Sequence, residues 1–213
     1  MNLLRNFSNI NQLNELHFDV LKEIGNIGVG NAIGALSELI SSEVKMSVPH
    51  VQFLKFNEVG KILGGEEVIV FGVLVHIFGE INGMMMFLLK PSSARVLVNG
   101  LMGIECKDTD DIENFTELEL SAISEIGNIL CSSYLGAVSR FIDKSVKPTP
   151  PILAKDMAAA ILSVPAIEFS KMSDGVLLID TVFETKDQNA TGFFFLVPDF
   201  DSFGVILSSL GVE

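Results

Sequence analysis

LHFDVLKEIGNIGVGNAIGALSELI (residues 16–40) and LELSAISEIGNILCSSYLGAVSRFI (residues 118–142) are one passage written twice. A shift of 102 positions lays residues 16–49 on 118–151 without gaps, with identity at 13 of 34 positions. The shared residues include Leu16/Leu118, Glu23/Glu125, Ile24/Ile126, Gly25/Gly127, Asn26/Asn128, Ile27/Ile129 and Gly34/Gly136. A duplication marks, within a single sequence, the residues that both copies keep.

Each copy opens on a helical pattern, at residues 15–44 and 117–144, the second entered through Thr116 with Glu119 three residues on, the spacing of a capping box. Extended segments follow at 48–56 and 149–153. Two β-rich runs come next in each half, 68–78 with 84–89 and 176–183 with 193–197, and Asn82-Gly83 between the first pair is a hairpin signal. Short helical segments close the halves at 97–102 and 205–210. The expected fold is α+β. It is an internally duplicated single domain over residues 1–213, with pseudo-repeats at about 15–103 and 117–211. An antiparallel sheet of about six strands would carry two long helices, related by a pseudo-two-fold axis, and shorter helices.

The bulk chemistry narrows the partners. With 27 acidic against 14 basic residues the net charge is -13, which repels nucleic-acid phosphates and anionic membrane surfaces. Neither is an expected partner. The chain starts without a secretory pattern, and its most apolar stretch, residues 69–78, is about half of what a membrane span needs. A cytoplasmic protein without membrane insertion is the expectation. Cys106 and Cys131 form no disulfide framework and no Cys-x-x-Cys spacing, and read as buried free thiols.

Within the first helix, Asp19, Glu23, Asn26 and Gly30 are spaced i, i+4, i+7 and i+11, so they share one narrow stripe, while Val20, Ile24, Ile27 and Ala35 point away to bury. The second helix repeats the stripe with Ser121, Glu125, Asn128 and Ser132. One such stripe alone would read as a solvated helix face. Two copies change that, because Glu-x-x-Asn persists while neighbouring polar positions differ, as in Lys22/Ser124 and Asn31/Ser133. Asn is also a poor interior helix residue, kept there only for some compensating reason.

Other features read as structure. Gly28, Gly30 and Gly34 lie inside a helical pattern and follow no strand, so they form no dinucleotide loop; they let another helix or a partner approach closely. His17, His50 and His76 share no ligand spacing, and no metal site is expected. Met84, Met85 and Met86 fit a buried strand. Residues 155–162, with Asp156 near their start, read as a short Ala-rich helix.

The stripes Asp19-x-x-x-Glu23-x-x-Asn26-x-x-x-Gly30 and Ser121-x-x-x-Glu125-x-x-Asn128 resemble the twin signatures of the CheC/CheX/FliY family of chemotaxis response-regulator phosphatases, over essentially the whole chain. Two signatures without a further C-terminal domain resemble the CheC type most; Ser132 in place of Gly30 departs from the pattern and would make the two sites unequal. The resemblance implies hydrolysis of the aspartyl-phosphate of a CheY-type regulator. Asn26 and Asn128 would position the attacking water, and Glu23 and Glu125 would pair with the regulator's lysine. Asp19 and Ser121 would be docking contacts. Magnesium would sit on the regulator and no cofactor on this chain. It also implies a surface for the receptor deamidase CheD around Asp156. The alternative function is a binding protein that sequesters or regulates CheD with weak or no hydrolysis.

Overall fold

The structure, a computed structural model, describes residues 15–40, 44–46, 50–105, 111–169, 175–184 and 189–211. The first half runs through helix α1 (Glu15–Leu39), strands β1 (Lys45–Met46) and β2 (His50–Lys55), helix α2 (Phe56–Leu63), strands β3 (Ile69–Gly79) and β4 (Gly83–Leu89), and helix α3 (Pro91–Met102). The second half repeats that order with α4 (Glu117–Ile142), β5 (Val146–Pro148), β6 (Ile152–Met157), α5 (Ala158–Phe169), β7 (Gly175–Glu184), β8 (Asn189–Pro198) and α6 (Phe200–Ser209).

All strands join one antiparallel sheet. Its order is β1-β7-β8-β4-β3-β5, with β2 continuing the β1 edge along β7 and β6 continuing the β5 edge along β3. Eight strands thus fill six positions, as the sequence pattern implies. The halves exchange their edge strands: β2 of the first pairs β7 of the second, and β6 of the second pairs β3 of the first. Both edge exchanges and the central pair are antiparallel. His50 faces Asp180 and its counterpart Ile152 faces Leu74, while Gly83 faces Pro198 and Leu89 faces Gly192 at the central β4–β8 pair.

The central strands are buried on both faces, which is why β3 and β4 read as unbroken apolar runs rather than alternations. Phe71, Val73, Val75, Met85, Phe87 and Phe194 pack under α1 and α4. Val70, Leu74, Met84, Met86 and Phe195 pack under α2 and α5. Gly127 sits where α4 meets the sheet, since a Cβ there would come within 2.5 Å of Val73. Gly83 at φ 152° lies against the Val197 carbonyl; it closes the β3–β4 hairpin as a strand residue, not as half of a two-residue turn.

Several boundaries differ from the sequence pattern. Helix α1 ends at Leu39 rather than near residue 44. Helix α2, with Val59 and Leu63 buried, lies between the extended segment and the β-rich run, where the sequence pattern has no helix. Residues 155–157 are not helical: they complete β6, whose six rungs on β3 outweigh the helix preference of the alanines that follow, a few tenths of a kcal/mol each. Helix α5 therefore starts at Ala158 and continues through Pro165. An interior proline costs about 3 kcal/mol, and burying Ala158, Ile161 and Leu162 against the sheet offsets it.

Candidate functional site

Helix α1 buries Leu21, Ile24, Ala32 and Leu36, and leaves Asp19, Glu23, Asn26 and Gly30 exposed on the far side. Of the four residues expected to bury only Ile24 does so; Val20, Ile27 and Ala35 are half-buried, because the core arc is centred on Leu21 and Ala32. Helix α4 repeats the arrangement, with Ser121 and Glu125 exposed and Asn128 and Ser132 half-buried. The Asn128 amide donates to Glu125 Oε2 at 3.4 Å, whereas Glu23 and Asn26 make no side-chain hydrogen bond to other described residues. Asp19 pairs with Lys22 at 3.6 Å on the open surface, and Ser121 donates back to the Glu117 carbonyl at 2.9 Å.

The two helices cross asymmetrically. Gly28 of α1 lies on the ring of fully buried Tyr134, where a Cβ would be 2.3 Å from a ring carbon; the equivalent positions are Leu130 and Ala32. Among the described residues, no atom beyond Gly30's chain neighbours and its own helical backbone lies within 4 Å of a Cβ built there, so none of them requires glycine at this place. Arg140 of α4 also donates to Asn31 of α1 at 3.4 Å, a link with no counterpart because Glu38 and Ser133 occupy the symmetric positions.

The N-terminal turn of α4 is pinned. Thr116 and Glu119 form the expected capping box, and Glu119 also accepts from Arg95, whose guanidinium lies 4.1 Å from the Phe115 ring centroid. The Thr116 N–H, and then Arg95, hold the Glu119 carboxyl below its ordinary range. Burial pushes the Cys131 thiol up to about 12, so it is no nucleophile at neutral pH. Cys106 lies outside the described residues.

Asp156 lies on edge strand β6 and not on a helix; it is exposed, and its Oδ1 accepts from the Met157 N–H at 2.7 Å. The structure does not place it on either long helix. His17 and His76 sit in α1 and β3 and His50 in β2; His76 Nδ1 is 3.7 Å from Glu168 Oε1. Among the described residues no three His, Cys, Asp or Glu are placed to hold a metal ion, and no helix is long and apolar enough to cross a membrane. Leu16 and Leu118 were noted in the sequence only as a repeat identity, yet both are exposed on the same stripes. Exposure, which periodicity alone does not supply, is the signal that sets them apart.

The fold is a duplicated α+β arrangement that presents a carboxylate and a carboxamide one turn apart on each of two repeat-related helices. The chain belongs to the CheC-like family. That family's model matches residues 16–52 and 118–154, the two copies of the stripe with the edge strands that follow. Over 205 residues the chain is 31% identical to the CheY-P phosphatase CheC of Bacillus subtilis (strain 168), covering 95% of this chain and 98% of that one. It is 25% identical over 142 residues to the flagellar motor switch phosphatase FliY of the same organism, covering 67% of this chain and 36% of that one. Among solved structures, Thermotoga maritima FliY superposes with a TM-score of 0.75 at 20% identity, covering 94% of this chain and 98% of that one, and shares the fold.

Proposed function

We propose that this chain is a hydrolase of the aspartyl-phosphate of a CheY-type response regulator, acting in the cytoplasm as one domain with two sites. The observation that carries the reading is the twice-kept Glu-x-x-Asn on the outer faces of α1 and α4, together with one relative named a CheY-P phosphatase and another named a flagellar motor switch phosphatase. On this reading the glutamate and the asparagine act neither as nucleophile nor as general base. They can supply placement.

The regulator brings the acyl phosphate and, when magnesium is bound there, the charge that neutralises the phosphoryl oxygens. Glu23 or Glu125 pairs with a lysine of the regulator and sets the docking register. The carboxamide of Asn26 or Asn128 lies about 4.5 Å along the helix axis from that carboxylate. Its oxygen accepts from a water and its NH2 group donates to the phosphoryl group, aligning the water in line with the breaking P–O bond. The bond in Asn128–Glu125 pre-orients the second amide; once the glutamate takes up the lysine, that amide is released to the phosphoryl group. Asp19 and Ser121 flank the docking surface.

Phosphate release from a phosphorylated regulator with magnesium tests this. The protein should accelerate release, and Asn26→Ala with Asn128→Ala should remove the acceleration while circular dichroism and Tm stay near wild type. Equal acceleration by the double variant overturns the water-positioning role.

A second partner surface is proposed around Asp156 for CheD. Ile69 and Met157 face each other across the β3–β6 ladder beside Asp156, and both are exposed, as is Val164 of α5. An edge ladder that exposes a carboxylate and, at the next rung, two apolar residues fits a protein partner. Asp156→Lys should weaken CheD binding in calorimetry and leave phosphate release intact; unchanged binding removes this surface.

A further inference from the structure

Among repeat positions whose exposure is described in both copies, four are exposed in each: Leu16/Leu118, Asp19/Ser121, Glu23/Glu125 and Glu38/Arg140. Two of these pairs have diverged, Glu38/Arg140 to the opposite charge and Asp19/Ser121 from a carboxylate to a hydroxyl, so neither place demands one side chain in both copies. Glu23/Glu125 is the proposed docking glutamate. The remaining identity is a leucine, 57% exposed in α1 and 71% exposed in α4. A single exposed leucine means nothing. The same leucine at the same exposed place in both copies, where polar neighbours drifted, points to a surface that both copies bury.

Its position says against what. Leu16 and Leu118 precede the site glutamates by seven residues, so each lies about 10 Å along the axis and about 20° around the helix from its glutamate. From the asparagine the separation is about 15 Å along the axis and about 80° around the helix. A protein that seats its acyl phosphate on the asparagine and its lysine on the glutamate is carried over the leucine. In α4 this contact is also pre-organised, because Leu118 lies between Thr116 and Glu119, which cap one another, with Arg95 holding Glu119.

We infer that Leu16 and Leu118 are the apolar anchors of the two docking surfaces, each covering an apolar patch of the phosphorylated regulator about 15 Å from its acyl phosphate. The inference rests on the phosphatase reading and adds positioning residues to it. Apolar burial is insensitive to ionic strength, whereas the glutamate–lysine pair is screened by salt. The two contributions therefore separate in one experiment.

Steady-state phosphate release is measured for Leu118→Ala in the Asn26→Ala background and for Leu16→Ala in the Asn128→Ala background, at low and high salt. KM is expected to rise about three- to tenfold, by the same factor at both salt concentrations, with kcat nearly unchanged. Leu118→Met should recover most of the loss, and Tm should match the parents because both side chains are mostly exposed. An unchanged KM in an otherwise active protein overturns the inference, as does a fall in kcat alone. A change in sedimentation with KM unchanged assigns the leucines to self-association and also overturns it. If the parents themselves do not accelerate phosphate loss, the phosphatase reading fails, and the anchors fail with it.

Discussion

Helices α1 and α4 carry the same stripe on unlike supports. In α4 the N-terminal turn is capped and clamped by Arg95, and Asn128 already leans on Glu125. In α1, Asn26 makes no such contact, Gly30 leaves open space where α4 has Ser132, and Gly28 is pressed against Tyr134. The glutamate and asparagine proposed to act are identical in the two copies, and the differences lie in what holds them. After duplication the interior of the pair has become one asymmetric interface, with a tyrosine against a glycine in place of two equivalent contacts, while Leu16/Leu118, Glu23/Glu125 and Asn26/Asn128 have stayed the same on the outer stripes. Packing partners can change together, whereas residues that meet an outside partner, the role proposed for these stripes, cannot.

The strongest way to break that comparison is to silence one asparagine at a time. Asn26→Ala and Asn128→Ala should each leave activity from the other site, and each silenced site should lose on the order of a hundredfold in kcat. If Asn128 is favoured by its pre-oriented amide, Asn128→Ala removes the larger share of phosphate release; equal shares would make the supports irrelevant to the chemistry.

Next in size is the crossing itself. Gly28→Ala drives a methyl group into the fully buried Tyr134 ring, and should lower stability by about 2 kcal/mol net of the helix propensity it gains. Thermal unfolding should show a Tm lower by about 4–8 °C. An unchanged Tm would mean that the ring has room to retreat.

Glu23→Gln and Glu125→Gln should act on KM, each raising it several-fold at low salt and less at high salt, with kcat preserved. Kinetics insensitive to ionic strength would assign these carboxylates elsewhere.

The clamp on α4 carries its own pH signature. Glu119 has its folded carboxyl held below the ordinary value of 4.5, first by the Thr116 N–H and then by Arg95. Its contribution to stability is therefore present above that ordinary value and is lost as pH falls through the lowered one. Glu119→Gln should make stability less steep in that acidic window, read from urea unfolding at stepped pH. A wild-type slope in the variant would remove the clamp from the account.

The smallest effect is at the position where the two stripes differ. Gly30→Ser meets no protein atom and should stabilise α1 by about 0.5 kcal/mol through helix propensity alone. If Ser132 is what weakens the second site, the same substitution should raise KM at the first; unchanged kinetics would trace any inequality to the supports instead.

The residues of the stripes, the duplication and the six strand positions were legible because each is a matter of spacing along the chain: period 3.6 puts Glu23 and Asn26 on one face, and apolar runs bounded by turn residues mark strands buried on both sides. The capping box at Thr116 and Glu119 was legible for the same local reason. What spacing does not carry is which partner an element meets. Residues 155–157 joined a strand because β3 offered six rungs, although the alanines beyond them favour helix, and α5 runs through Pro165 because the sheet rewards its apolar face. Helix α2 is short, and eight residues give too few turns for a periodic signal to stand out. Tertiary structure alone decided that Gly28 serves Tyr134 while Gly30 serves nothing inside the protein, and that two leucines kept in both copies lie in the open. Close approach and solvent exposure are properties of surfaces brought together by folding, and they have no representation in the order of residues along one strand or helix.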